Sequence, residues 1–318
     1  MRLINTLTLE FKEFLGSDVP KYAILSHTWE AEEVSLQEVR DNLLSPTIKQ
    51  GYRKIVNFCR LARSEGLAWA WVDTCCIDKT NLAELTESIN SMFRWYQDAA
   101  ICYVYLSDLP TNAELAEALP GCRWFTRGWT LQELLAPKTV QFYDRDWVMR
   151  GTKKSLVSNL EAITGIPEAV LIQAVHIYDV SIGTRMSWAA GRETTRLEDT
   201  AYCLLGIFDV NMPLIYGEGS KAFRRLQEEI IRQSNDLTIF AWAPSSPWDT
   251  PWLPPVLDGT AYGPGGPLLA SSPNDFELHS ARRSPKSNLR TLSGPSMWTE
   301  PYPEYAVTNK GLRIRAPL

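Results

Sequence analysis

The sequence predicts an α/β protein: a parallel sheet flanked by helices, followed by a mostly helical region. Four short apolar runs, KYAILS, LAWAWVD, AICYVYLS and TVQFYD, are separated by helix-length segments, and strand–helix alternation implies crossover connections and a parallel sheet. LAWAWVD is nearly all apolar, as befits a strand covered on both faces. From about Lys153 the strand-like runs give way to helical patterns. The 318 residues suffice for one large or two medium domains, and 45% hydrophobic with 22% charged residues is a globular composition.

Taken in order, Lys21 to Ser26 forms the first strand. The next segment reads as a helix, with Ser45-Pro46 as its start, Gly66 as its stop, and Tyr52, Ile55, Val56, Cys59 and Ala62 as its stripe. After the second strand comes the polar loop DTCCIDKTN. A helix follows with Leu85, Ile89, Met92, Phe93 and Tyr96 on one face, and Asn81 with Glu84 resembles a capping box. The third strand leads to RGWTLQELLA, a helix ended by Pro137, and then to the fourth strand. KKSLVSNLEAITG, RLEDTAYCLLG and SKAFRRLQEEIIRQS are further helices, the first two stopped by Gly165 and Gly206. Residues 1–150 are thus expected to form the α/β domain and 151–243 a helical subdomain. Residues 244–318 read as a Pro/Gly-rich linker and the start of a further segment, ending in a strand cut short.

Composition excludes several function classes. A net charge of -5 with no long basic run argues against a nucleic-acid surface. No signal peptide or membrane-spanning apolar run is visible, and the six cysteines form no framework, so a reducing, cytoplasmic setting is expected. With three histidines and no CxxC spacing, no metal site is expected.

Ligands of parallel α/β sheets sit outside the carboxyl ends of the strands. Those ends carry SHTWE (Ser26 to Glu30), DTCCID (Asp73 to Asp78), Ser107-Asp108 and Asp144. Adjacent Ser26 and His27 point to opposite faces of a strand, which disfavours a direct Ser–His pair. His27 is left open between pocket lining and a strand-end cap. Cys75 or Cys76 with His27 has the residue types of a thiol hydrolase but no local signature, so buried structural thiols are expected. Asp73 is a candidate for ribose hydroxyls or Mg²⁺, whereas Asp78 reads as a turn residue. YGEGSKAF lacks phosphate-loop spacing and reads as a glycine turn before a helix. In RGWTLQEL, Leu131, Leu134 and Leu135 define a buried stripe, while Trp129 and Glu133, four apart, share the other face with Arg127 nearby. Either another part of the protein covers that face or the pair lines a pocket.

YAILSHTWE, the block from WAWVDTCCIDKTN to CYVYLSD, and RWFTRGWTLQELLAP together resemble the fungal heterokaryon-incompatibility (HET) domain from about Tyr22 to Tyr143. That resemblance implies a role in programmed cell death after non-self recognition, with nucleotide-binding and repeat domains downstream. Trp129 to Glu133 is also similar to the W-x-x-x-E element of TIR domains, which implies a TIR-like (flavodoxin-like) sheet. It further implies a catalytic Glu133 cleaving NAD⁺ as substrate, with no separate cofactor. Ser26, His27, Trp29, Asp73, Arg127 and Trp129 are then the expected lining of the NAD⁺ site. Self-association into a homo-oligomer is the expected trigger. The alternative is a non-enzymatic signalling or oligomerisation module using the same surface.

Overall fold

The computed structural model describes residues 1–40, 49–244, 268–279, 304–308 and 311–315. They fall into two units: Met1–Ile163 with Pro167–Ala174, and Thr164–Ile166 with Val175–Leu318.

The first unit is built on a seven-stranded sheet. Its strands are β1 (Arg2–Asn5), β2 (Phe11–Glu13), β3 (Tyr22–His27), β4 (Trp69–Trp71), β5 (Ile101–Tyr105), β6 (Val140–Tyr143) and β7 (Met149–Thr152), in the spatial order β2-β1-β4-β3-β5-β6-β7. The four predicted strands, β3 to β6, are mutually parallel. The other three are antiparallel additions at the edges, with β1 on β4, β2 on β1, and β7 on β6. These additions are short and carry no sustained apolar run, which is why periodicity misses them. β1 is fixed by a buried charge instead: the Arg2 guanidinium bridges Glu13 and Glu84 at 2.7 Å each.

Helices fill the crossovers: α1 (Leu36–Arg40), α2 (Gln50–Ser64), α3 (Asp73–Cys76), α4 (Leu82–Asp98), α5 (Leu115–Ala118) and α6 (Thr130–Leu135). The parallel strands run β4-β3-β5-β6, so the chain steps one way from β3 to β4 and then reverses past β3 to β5. Right-handed crossovers therefore put α2 on one face of the sheet, and α4 and α6 on the other. This is the flavodoxin-like order, and its reversal point lies between β3 and β5, where such sheets open a crevice at their carboxyl ends. Every residue of β3 is buried, as a strand covered on both faces requires. Trp71, Tyr96, Tyr103, Phe58 and Phe142 fill the two layers, with Trp71 set edge-on to Tyr96 and Phe58 edge-on to Tyr103.

α4 starts as the sequence predicts: the Asn81 side chain accepts the amides of Ala83 and Glu84. The reciprocal half of the box differs, since Glu84 takes the Asp78 amide at 2.8 Å and is committed to Arg2. The Ser45-Pro46 start signal lies outside the described residues. The buried stripe of α2 is Gly51, Lys54, Ile55, Phe58, Cys59 and Ala62, so Tyr52 and Val56 sit at its margins.

The second unit contains α-helices at Ile182–Ser187, Asp199–Tyr202, Leu205–Phe208 and Lys221–Gln233, and a hairpin of Glu304–Thr308 with Gly311–Arg315. The chain end is thus a pair of strands rather than the single truncated one expected. Gly206 lies inside a helical turn that ends three residues later at Asp209, which takes a left-handed conformation (φ 54°). The GEG turn is confirmed, and its amides are satisfied internally. The Glu198 carboxylate accepts Gly217 N–H at 2.7 Å and Gly219 N–H at 3.0 Å, filling the concavity that an anion would otherwise take. Of the Pro/Gly-rich stretch, residues 245–267 and 280–303 lie outside the described residues. No helix among the described residues is long and apolar enough to cross a membrane.

Gly51 lets α2 approach the segment after β3. A Cβ there would stand 2.4 Å from the Glu32 carbonyl oxygen and 3.0 Å from Glu33 Cα, both backbone atoms with little room to yield. Gly51→Ala should lower stability by about 1–3 kcal/mol in urea denaturation. Gly121→Ala, where nothing lies within 4 Å, should shift it by no more than about 0.5 kcal/mol.

Candidate active site at the carboxyl end of the sheet

β3 runs through His27 before the chain leaves the sheet, so neighbouring Ser26 and His27 turn to opposite faces. Each organises a separate group of side chains. On the α6 face, Ser26 is fully buried; its hydroxyl donates to Glu133 Oε2 and accepts the Trp124 indole N–H at 2.8 Å. Tyr96 stands in the same layer, its hydroxyl donating to the Leu25 carbonyl at 3.0 Å. Glu133 is only 7% exposed, and all six residues of α6 are buried. Leu131, Leu134 and Leu135 are buried as predicted, and of the two alternatives for the other face the protein covers Glu133. Burial pushes the Glu133 carboxyl up and the nearby Asp73 charge adds to this. The Ser26 and Tyr96 hydroxyls and the Arg127 charge pull the other way, and the balance lies at about 8.

The carboxyl end of α6 is held as firmly as its acid. Lys153 Nζ donates to the carbonyls of Leu134 (3.1 Å) and Pro137 (2.5 Å). Gln173 Nε2 lies 3.2–3.3 Å from those of Leu135, Ala136 and Pro137. A cation and an amide thus satisfy the acceptors that a helix end leaves over. Burial lowers the Lys153 ammonium to about 8.

On the α2 face, His27 Nε2 is buried and has no hydrogen-bond partner among the described residues; it stands 3.7 Å from Glu33 Oε1 and 3.9 Å from Asp73 Oδ1. Burial opposes ionisation of Glu33, but His27 and Lys54, which is ion-paired to it, bring it down to about 2. Asp73, in the first turn of α3, accepts the Trp29 indole N–H at 2.8 Å. Trp29 is 51% exposed, and the Lys79 ammonium sits 3.7 Å from its ring centroid. Across the strand ends, Glu30 joins Ser107 (2.8 Å) and Arg123, and Asp108 accepts the Arg123 amide at 2.8 Å.

The predicted residues therefore form two groups. Ser26 and Glu133 are in direct contact, with Arg127 close enough for its charge to act on Glu133. Trp29 and Asp73 are in contact, with His27 beside Asp73. Asp73 connects the groups, since its charge also reaches Glu133. Arg127 and Trp129 are half-buried at the entrance to α6. Asp78 is a turn residue as expected, accepting from Thr80 and Gln37. Cys75 and Cys76 are buried free thiols, and the Cys75 thiol is held well above its usual range by a hydrogen bond with the Cys76 thiol and by burial, which disfavours a thiolate nucleophile.

The family described as "Heterokaryon incompatibility protein (HET)" matches residues 22–120, and a domain of unknown function (DUF8212) matches residues 221–318. The chain is also 50% identical over 230 residues to the vegetative incompatibility protein HET-E-1 of Podospora anserina, covering 69% of this chain. Residues 22–120 are a HET domain. It spans 17% of the length of that curated relative, and no solved structure matches it. The HET match takes in Ser26, His27, Trp29 and Asp73 and stops before Arg127, Trp129 and Glu133.

Sequence reasoning about this HET domain missed Trp124, Tyr96, Glu33, Lys54, Lys79 and Lys153. Trp124 and Tyr96 sit in apolar patterns, where an aromatic reads as core. Lys54 left a signal: it lies on the buried stripe of α2 between Gly51 and Ile55, where a lysine requires a partner. Ser26→Ala would strand the Trp124 N–H and remove the Ser26 donor from Glu133. It should cost about 1–3 kcal/mol in chemical denaturation and move the Glu133 titration upward in a carboxyl NMR experiment.

Proposed function

We propose that this HET domain is the cell-death effector of a fungal incompatibility response and acts as an NAD⁺ hydrolase with Glu133 as its catalytic carboxylate. The observation that carries this reading is a buried acid, hydrogen-bonded to Ser26, at the reversal point of a flavodoxin-like sheet. The similarity of Trp129 to Glu133 to the TIR W-x-x-x-E element supports it.

The chemistry needs little more. The C–N bond between ribose and nicotinamide breaks with its electron pair leaving on the pyridine nitrogen, so a cationic ring departs neutral without a general acid. Positive charge develops on the ribose, as in glycoside cleavage, and a carboxylate in a low-dielectric site stabilises it. Water then adds at the anomeric carbon and releases one proton, giving ADP-ribose.

Glu133 also carries an energetic signature. Its folded value, about 8, lies above the roughly 4.3 of a free glutamate. Its contribution to stability is therefore full below pH ~4 and is lost as pH rises through about 8, a loss of about 3 kcal/mol at pH 7. Such a cost is typical of a functional rather than a structural acid. Burial of Glu133 also favours a second reading, the non-enzymatic module, in which the acid only braces α6. Under the hydrolase reading that same burial describes a resting state, which self-association opens.

Two measurements separate them. Glu133→Gln, neutral and isosteric, should raise stability by about 3 kcal/mol at pH 7 and by little at pH 4, read from denaturation across pH. The same variant, assembled at high concentration, should release nicotinamide from NAD⁺ at least about 100-fold more slowly than the parent. If the assembled parent leaves NAD⁺ intact, the module reading replaces this one. For the active parent, kcat/KM should rise with pH to a plateau as Glu133 ionises, and its midpoint should lie below the value of about 8 set by burial in the resting chain, because opening relieves that burial.

A further inference from the structure

The Trp29 indole is exposed, aromatic and held at one angle. Its N–H is donated to Asp73 at 2.8 Å, which fixes the ring plane against the first turn of α3. A cation already sits on it: the Lys79 ammonium lies 3.7 Å from the ring centroid, well within the range in which an indole face attracts positive charge. Burial opposes the charge of that ammonium, and Asp73 is the foremost of the groups that favour it, with Glu33 also acting on it. Beside them the His27 Nε2 is buried, 3.7 Å from Glu33 Oε1 and 3.9 Å from Asp73 Oδ1, with no hydrogen-bond partner among the described residues. An electron-rich ring anchored on the Asp73 carboxylate suits an aromatic cation, and the protein keeps a cation of its own there.

The geometry points to Trp29 as the seat of a pyridinium ring, with Lys79 as a resident cation that this ring displaces on binding. Two positive groups cannot share one indole face and one carboxylate without repelling each other. Lys79 therefore sets a threshold for occupancy that a neutral ring of the same shape does not meet. The assignment of the ring to nicotinamide rests on the hydrolase reading; the competition between cations rests on the Trp29–Lys79–Asp73 arrangement alone.

Calorimetric titration with 1-methylnicotinamide, a pyridinium cation, and with neutral nicotinamide tests this on the intact chain. Lys79→Gln removes the resident cation and should tighten the pyridinium about two- to fivefold while leaving nicotinamide unchanged. Trp29→Leu should abolish binding of the pyridinium. Both positions are exposed, and circular dichroism verifies that the variants are folded. Unchanged or weaker pyridinium affinity in Lys79→Gln overturns the inference, as does binding that survives Trp29→Leu or binding seen in neither parent nor Lys79→Gln. The probe undergoes no hydrolysis, so the expected pattern together with intact NAD⁺ would remove the hydrolase and leave this site standing.

Discussion

The hydrogen bond from Ser26 to Glu133 ties the first parallel strand to the last crossover helix, and the rest of the α/β unit is arranged around it. Its two ends are 107 positions apart in sequence. Between them the chain must complete two right-handed crossovers, reverse direction across the sheet, and seat Trp124 against the same hydroxyl. Ser26 is saturated by this arrangement, donating to the acid and accepting from the indole, which suits a polar group with no access to water. Because Glu133 sits in a layer with Tyr96 and Leu131, its charge is opposed by its surroundings while its position is fixed by them. Stability and reactivity are drawn from the same residue with opposite sign.

Extended geometry at β3 has a second consequence. Since Ser26 and His27 face opposite ways, polar chemistry at the strand end is split between two layers, one holding an acid whose ionisation burial opposes and one dense in charge. Glu33, Lys54, Asp73 and Lys79 surround His27 and Trp29, whereas Glu133 is surrounded by hydroxyls and aromatics. Asp73, at the start of α3 just past the edge of the sheet, influences both.

Much of the fold was legible because parallel strands announce themselves: KYAILS and AICYVYLS are largely apolar up to their polar ends, and Asn81 marks a helix start with a side chain suited to it. The edge strands were not, since β1, β2 and β7 are three or four residues long and depend on pairing and on the Arg2 ion pairs rather than on a pattern. Glu133 and Ser26 were legible as candidates, but their contact was not, because wheel geometry describes one helix and says nothing of what covers it. Lys79 was hidden for another reason. Its partner, Trp29, lies 50 positions upstream, and a lysine in a polar loop carries no mark of the ring it will cover.

Lys153 and Gln173 bear on how this protein is divided. The parallel strands end at Tyr143, which invites a cut soon afterwards. Yet four carbonyls at the close of α6 find their donors only at positions 153 and 173, and Gln173 reaches three of them from a left-handed backbone (φ 59°). A fragment that stops at residue 150 would retain Ser26, Trp124 and Glu133 while exposing the helix end that holds the acid in register. The smallest piece able to keep Glu133 where β3 needs it is set by an amide side chain forty positions downstream of it.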